Sequence, residues 1–353
     1  MAWTKVRTIA AMGLVALLAA ACGSSSATSA NGACVAPKTP VITFAAYSTP
    51  REVYGKIIPA FQAKWKQDHN GRSVIFQESY GGSTSQAQNV ASGFQADVVA
   101  LSLAPDVDII KKAGLITHDW TSAPDGGMVS SSVVVFDVRS GNPRHIADWN
   151  DLTQAGLKIL TPDPAQSGGA RWNIVAAYGA ATRGKVPGVS PNDAAAQRLL
   201  QGIFTNVKAL DKSARDSIKN FESGFGDVAI TYENEVFTAQ KAGLPDRLVI
   251  PPATVSIQNP VAVVDRYAQA HCVKDVANAF VAYLHSQDAK DLYTKVGFLR
   301  PVDPTAAAKS DSANFAPIKG LFTVEDLGGW TQVDQKVFGP NGVFTNAYKA
   351  SHG

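Results

Sequence analysis

Apolar residues recur along this chain in two alternating rhythms. Val41 to Ala46 is a short apolar run bounded by Pro40 and by Tyr47-Ser48-Thr49-Pro50-Arg51, which fits a buried strand. From Glu52 to Asp68 the spacing changes: Val53, Ile57, Phe61 and Trp65 recur every four residues, the period of a helix with one buried face. Asn70-Gly71 ends it. Ser73 to Gln77 predicts a second strand and Tyr80-Gly81-Gly82-Ser83-Thr84 a loop before a second helix. Asp97 to Leu103 predicts a third strand. Strand, helix, strand, helix, strand implies a parallel α/β sheet, and ligands of such sheets bind beyond the carboxyl ends of the strands. Ser48, Ser83 and Ser102 all fall near those ends.

The same plan returns further on. Ser130 to Val138 is an apolar strand and a candidate crossing between two lobes. Trp149-Asn150-Asp151-Leu152 starts a helical turn, and Leu157 to Leu160 is a strand. Ala170 to Ala181 and Ala194 to Phe204 read as helices, Val207 to Leu210 as a strand, Asp216 to Ser223 as a helix and Asp227 to Tyr232 as a strand. Ser256 to Val264 returns the chain to the first lobe. Asp275 to His285 and Asp288 to Val296 follow as helices, and an aromatic-rich tail runs from Phe322 to Phe344.

The stretch Pro162-Asp-Pro-Ala-Gln-Ser-Gly-Gly-Ala-Arg-Trp-Asn173 is where local chemistry concentrates. Two prolines force a turn. Ser167 sits at a helix N-cap position, and Gly168 and Gly169 leave the backbone open to a ligand. A helix start has N–H groups without intrahelical acceptors and a partial positive charge. Capped by Ser-Gly-Gly, such a start suits an anion; a tight turn with an ordinary cap fits the same letters.

These letters also resemble a known family. Ser167-Gly168-Gly169-Ala170-Arg171-Trp172-Asn173 in a Pro-x-Pro loop is similar to the block found in sulfate-binding proteins of ABC importers. Tyr80-Gly81-Gly82-Ser83, Ala96 to Leu101, Leu210 to Arg215, Tyr232-Glu233-Asn234-Glu235 and the ending Leu321-Phe322-Thr323 … Gly328-Gly329-Trp330-Thr331 follow in the family's order. The resemblance spans roughly Val41 to Phe344. It implies a type II periplasmic-binding-protein fold, with two α/β lobes, each a mostly parallel sheet flanked by helices, and a ligand cleft between them. The expected lobes are 38–131 with 256–318, and 132–255, with 319–353 packing across both.

The resemblance further implies an anion held by the Ser83 N–H, the Ser167 hydroxyl, the N–H groups of Gly168 and Gly169, and the Ala214 N–H. The family's last contact is an indole N–H, and this chain has Tyr232 there. Indole only donates, whereas a phenol donates or accepts. That difference leaves thiosulfate, molybdate, tungstate or phosphate as alternatives to sulfate. Ser48, Arg51, Arg171 and Arg215 are expected to support the contacting loops. The implied function is capture of sulfate and delivery to membrane permease subunits, by a monomer without a cofactor or a metal. It is binding rather than catalysis, and no nucleic acid is involved. A remote alternative is an envelope hydrolase with Ser167 as nucleophile. It would need a nearby base, and none of His69, His118, His145, His271, His285 or His352 falls in the contact blocks.

Composition and charge add an address. With 353 residues, 45% hydrophobic and 17% charged, the chain has ordinary globular composition and room for two lobes. Its net charge of +3 comes without a basic cluster, which argues against nucleic acid. Lys5 and Arg7 precede an apolar run from Ile9 to Ala21, and Leu17-Leu18-Ala19-Ala20-Ala21-Cys22 ends it. This is a signal peptide over 1–21, with a lipobox-like end in which Cys22 is lipidated; ordinary secretion is the rival reading. Residues 22–37 then form a flexible tether. Lipidation leaves Cys34 and Cys272, which pair in an oxidising compartment or remain separate thiols. The implied location is extracytoplasmic, anchored to the cell membrane through Cys22.

Overall fold

The computed structural model describes residues 34–302 and 315–352. The proposed signal peptide, Cys22 and most of the tether lie outside them.

Two parallel α/β units share one continuous mixed sheet, in the order β2-β1-β3-β9-β4-β7-β5-β6. The first unit opens with β1 (Val41–Tyr47), α1 (Arg51–Asp68), β2 (Ile75–Gly81), α2 (Ser83–Ala91), β3 (Val98–Ala100) and α3 (Ala104–Lys112). β1 lies parallel to both β2 and β3. The chain crosses on β4 (Met128–Val138) into β5 (Ile159–Pro162), α4 (Gly168–Thr182), α5 (Asp193–Asn206), β6 (Val207–Asp211), α6 (Ala214–Glu222), β7 (Val228–Tyr232) and α7 (Glu233–Lys241). Here β5 lies parallel to β6 and β7. After β8 (Arg247–Val249), β9 (Ala253–Val263) returns to the first unit, and α8 (Asp265–Ala270), α9 (Lys274–Leu284) and α10 (Gln287–Lys295) follow.

β4 and β9 are the two bridges. They pair antiparallel with each other over Met128↔Pro260 to Val133↔Ser256. Beyond that overlap β4 pairs β7 and β8 in the second unit, while β9 pairs β3 in the first. Both bridges are buried along almost their whole length, and the polar side chains of Ser130 to Ser132, Ser256 and Asn259 lie where the two strands pair.

Each unit has its own core. In the first, Phe44 meets Tyr54 and Phe280 edge-on between sheet and helices, and Phe61 packs tilted against Phe280. In the second, Phe136 meets Trp149 edge-on, and Trp172, Ile174 and Val175 of α4 pack in the same cluster.

Several boundaries differ from the sequence reading. The third strand is only three residues long, because the N–H of Ser102 turns away to Ser83 Oγ at 2.8 Å. α6 begins at Ala214 rather than Asp216, because Ser213 caps it by accepting from the Asp216 N–H. The tail packs on the second unit. β10 (Gly320–Phe322) pairs β9, and Phe322 fills the space above Gly179 of α4. After α11 (Gly329–Val333), α12 (Val343–His352) lays Phe344 and Tyr348 on Phe204 of α5. The aromatic face of α5 accounts for this docking.

Cys34 and Cys272 form a disulfide, with Cα atoms 5.3 Å apart. It ties the first described residue to the turn between α8 and α9.

Candidate functional site

Three helix starts from the two units point at one spot. Each follows the carboxyl end of a strand: α2 after β2, α4 after the Pro162–Gln166 turn, α6 after β6. Their N-cap residues, Gly82, Ser167 and Ser213, all have extended backbone, as the position requires. A fourth strand end, Tyr232, caps α7 at the same place.

Between them lies a small cavity lined by Tyr47, Ser48, Thr49, Gly81, Gly82, Ser83, Ser102, Ser167, Gly169, Ala214 and Tyr232. The lining contains no charged side chain. Of the residues singled out in the sequence, Ser48, Ser83, Ser102, Ser167, Gly169, Ala214 and Tyr232 meet here. Gly168 does not line the cavity. A Cβ on it would stand 2.9 Å from both Leu103 Cγ and Ser102 Oγ, so its bare backbone lets the first unit approach α4.

The two serines have different duties. Ser167 makes no side-chain capping bond, and its Oγ has no partner among the described residues, so the hydroxyl is free at the cavity wall. Ser83 Oγ is committed: it donates to Asp106 Oδ2 at 2.5 Å and accepts from the Ser102 N–H. What Ser83 can offer the cavity is its backbone N–H, the first of α2. Burial pushes the Asp106 carboxyl up to about 6, although the Ser83 hydroxyl draws it down.

Tyr232 is fully buried. Its Oη shares a hydrogen bond of 2.7 Å with Ser102 Oγ, and either atom can donate. Burial raises its pKa well beyond neutral pH, so the phenol keeps its proton. Trp172 Nε1 donates to Ser102 O at 2.8 Å, and Asn259 Nδ2 to the same oxygen at 3.3 Å. Trp172 thus grips the loop after β3 from the second unit, and Asn259 holds it from the bridging strand β9.

The arginines stand behind the cavity. Arg215 donates to Thr49 O at 3.1 Å and pairs with Glu52, both in the first unit, while its Nε lies 2.9 Å from Glu235 Oε2. Burial lifts Glu235 to about 7 against the pull of Arg215. Arg171 pairs with Asp334 of the tail and lies 4.3 Å from the centroid of the Phe338 ring. Arg51 lies 5.3 Å from the centroid of the Tyr80 ring, at the cavity's outer side.

The carboxylates near the contact blocks in sequence are turned elsewhere. Asp163 accepts from Ala165 N and Gln166 Nε2, Asp211 from Ser217 Oγ and Asn220 Nδ2, and Glu233 pairs with Arg300. No histidine lines the cavity. His118 and His271 are bound to Asp265 and Asp97. Among the described residues, no group of three or more His, Cys, Asp or Glu could hold a metal ion, and no helix is long and apolar enough to cross a membrane.

Sequence reasoning did not single out Asp106, Glu52 or Glu235. Glu52 and Arg215 are 163 residues apart, and nothing local in either segment marks the partnership.

The model of the bacterial extracellular solute-binding protein family matches residues 42–299. A sulfate-binding protein of Synechococcus elongatus is 40% identical over 357 residues, covering 100% of this chain and 99% of that one. A sulfate-binding protein of Escherichia coli (strain K12) is 39% identical over 308 residues, 86% of this chain and 91% of that one. Among solved structures, the sulfate-binding protein SubI from Mycobacterium tuberculosis H37Rv superposes with a TM-score of 0.75 at 38% identity, covering 85% of this chain and 99% of that chain.

Proposed function

The chain belongs to the bacterial extracellular solute-binding protein family, and from that membership and the cavity we propose that it is the sulfate receptor of an ABC importer. The observation that carries the reading is an uncharged, buried cavity at the meeting point of three helix starts. A dianion there is held by directed partial charges rather than by a paired cation. The donors we assign are the N–H groups of Ser83, Gly169 and Ala214, the Ser167 hydroxyl and the Tyr232 phenol. Gly168 adds its N–H from the same helix start and, by lacking a side chain, lets the units close.

The donor set also supports sulfate over phosphate. Sulfate at neutral pH only accepts hydrogen bonds, whereas phosphate carries a proton that needs an acceptor. No carboxylate lines the cavity. An unmatched buried donor costs about 1–3 kcal/mol, roughly tenfold to more than a hundredfold in affinity. Ser167 has no base beside it, which supports binding rather than hydrolysis. In this reading the protein acts outside the cytoplasm as a monomer, held at the membrane by a lipidated Cys22, and hands sulfate to permease subunits. The lobes are 38–131 with 256–318, and 132–255.

The test is calorimetric titration of the mature chain from Ala33 onward, unfolded and refolded to remove carried-over ligand. Sulfate, thiosulfate, molybdate and phosphate are compared. Tight sulfate binding with phosphate excluded is expected. Preference for another anion would replace the substrate, and no binding of any would remove the function.

A further inference from the structure

The cavity carries no charge, but its mouth does. Outward of Ser48, Gly81 and Gly82, which border both spaces, lies a larger opening of about 390 Å³. Arg51 at the start of α1 faces it from the first unit. Lys212 before α6 and Lys219 within α6 face it from the second. All three side chains are exposed, and none forms an ion pair among the described residues. The fourth cation there, Arg215, is already held by Glu52 and Glu235. One carboxylate lines the opening, Asp216, and it accepts from Ser213 Oγ at 2.7 Å. The nearby Glu78 is engaged by the Tyr80 hydroxyl at 2.6 Å.

This placement separates two tasks. A cation inside the cavity would form an ion pair that release must break. Cations at the mouth raise the local concentration of an approaching dianion and leave the final contacts neutral. We propose that Arg51, Lys212 and Lys219 form an anion-collecting vestibule that sets how fast the oxyanion enters the cleft, with little effect on how long it stays. This inference rests on the oxyanion-receptor reading above.

The test uses the full mature chain and sodium sulfate. Association and dissociation rates are followed by stopped-flow fluorescence for the wild type, Lys212→Gln/Lys219→Gln and Lys212→Glu/Lys219→Glu. Ionic strength runs from about 0.01 M to about 0.15 M, where the screening length falls from about 30 Å to about 8 Å. The neutral double variant is expected to lose on the order of tenfold in association rate at low salt. The charge-reversed one should lose more, and dissociation should stay within about twofold. Wild-type and variant rates should converge as salt rises. A wild-type association rate insensitive to salt, or variants that change only dissociation, would overturn the vestibule while leaving the receptor intact. Absence of sulfate binding to the wild type in calorimetry would instead overturn the receptor reading, and the vestibule with it.

Discussion

Ser102 Oγ and Tyr232 Oη, 130 residues apart in the chain, lie 2.7 Å apart at the wall of the cavity. One belongs to the loop after β3 and the other to the end of β7, so a single hydrogen bond spans the two units. Because a hydroxyl can rotate, the phenol can turn its proton toward an anion while Ser102 keeps a partner on its oxygen. In the proposed receptor, the phenol takes the place at which the family resemblance implies an indole.

Tyr232→Phe tests this directly. The ring still fills its buried site, so the fold and melting temperature should change little. Loss of one donor to a buried anion should weaken sulfate binding by about tenfold to a hundredfold. Calorimetry reads the effect, and an unchanged affinity would reduce Tyr232 to packing.

Gly82→Ala should block closure without disturbing either unit. A Cβ on Gly82, in the first unit, would stand 2.6 Å from Lys212 O and closer still to Gln166 O, both backbone atoms of the second. Neither carbonyl can swing aside as a side chain can. Sulfate affinity should fall on the order of a hundredfold or more, with the ligand-free melting temperature preserved. Small-angle scattering should show that sulfate no longer compacts the molecule. Wild-type affinity in this variant would mean that the two backbones do not meet in the bound form.

Asp137 makes stability depend on pH far from the cavity. It lies fully buried on β4 beside the carboxyl of Asp246, and burial followed by the charge of Asp246 pushes it up to about 8. The folded state therefore holds a proton that the unfolded chain releases near its ordinary value of about 4. Stability from this proton is full below that value and is lost as pH rises toward 8, by about 1.4 kcal/mol per unit. Asp137→Asn, which keeps an N–H in place of the acid proton, should raise the melting temperature more at about pH 8 than at about pH 5. Equal effects at both would remove Asp137 as the titrating group.

Reducing the Cys34–Cys272 bond should separate stability from binding. The bond closes a loop of 238 residues, and its loss should cost about 2–4 kcal/mol by denaturant titration. Neither cysteine lines the cavity, so sulfate affinity should hold. A large loss of affinity on reduction would mean that the N-terminal clip also positions the site.

Much of this was legible because periodicity and turn chemistry are local. The four-residue rhythm of Val53, Ile57, Phe61 and Trp65 marks α1, and Ser167-Gly168-Gly169 marks the helix start after β5. What escaped is equally physical. α7 opens with Glu233, Asn234 and Glu235, all buried, because Arg300 and Arg215 arrive from distant segments to neutralise the acids. A polar run of that kind looks like a solvated turn until its partners are known. α3 escaped too, yet the proline of Ala104-Pro105-Asp106 suits a first helical turn, and Asp106 is buried there to hold Ser83. Ser167 is a case in which position and duty part. Its residue type promises a capping bond, and the structure withholds that bond, leaving the hydroxyl at the cavity.

The division of the cavity wall between two units makes the receptor a chelator. Ser83 and Ser102 come from one side, Ser167, Gly169, Ala214 and Tyr232 from the other. Neither half-set alone surrounds a tetrahedral ion, and each gains its strength from the other's being held close, as in any bivalent contact. Parting the halves by a few ångströms would forfeit that effective concentration at once. A transporter that pries the clamp open therefore breaks no ion pair to the oxyanion itself but does break the Arg215–Glu52 pair behind it, and the bound state dissolves into two weak half-sites.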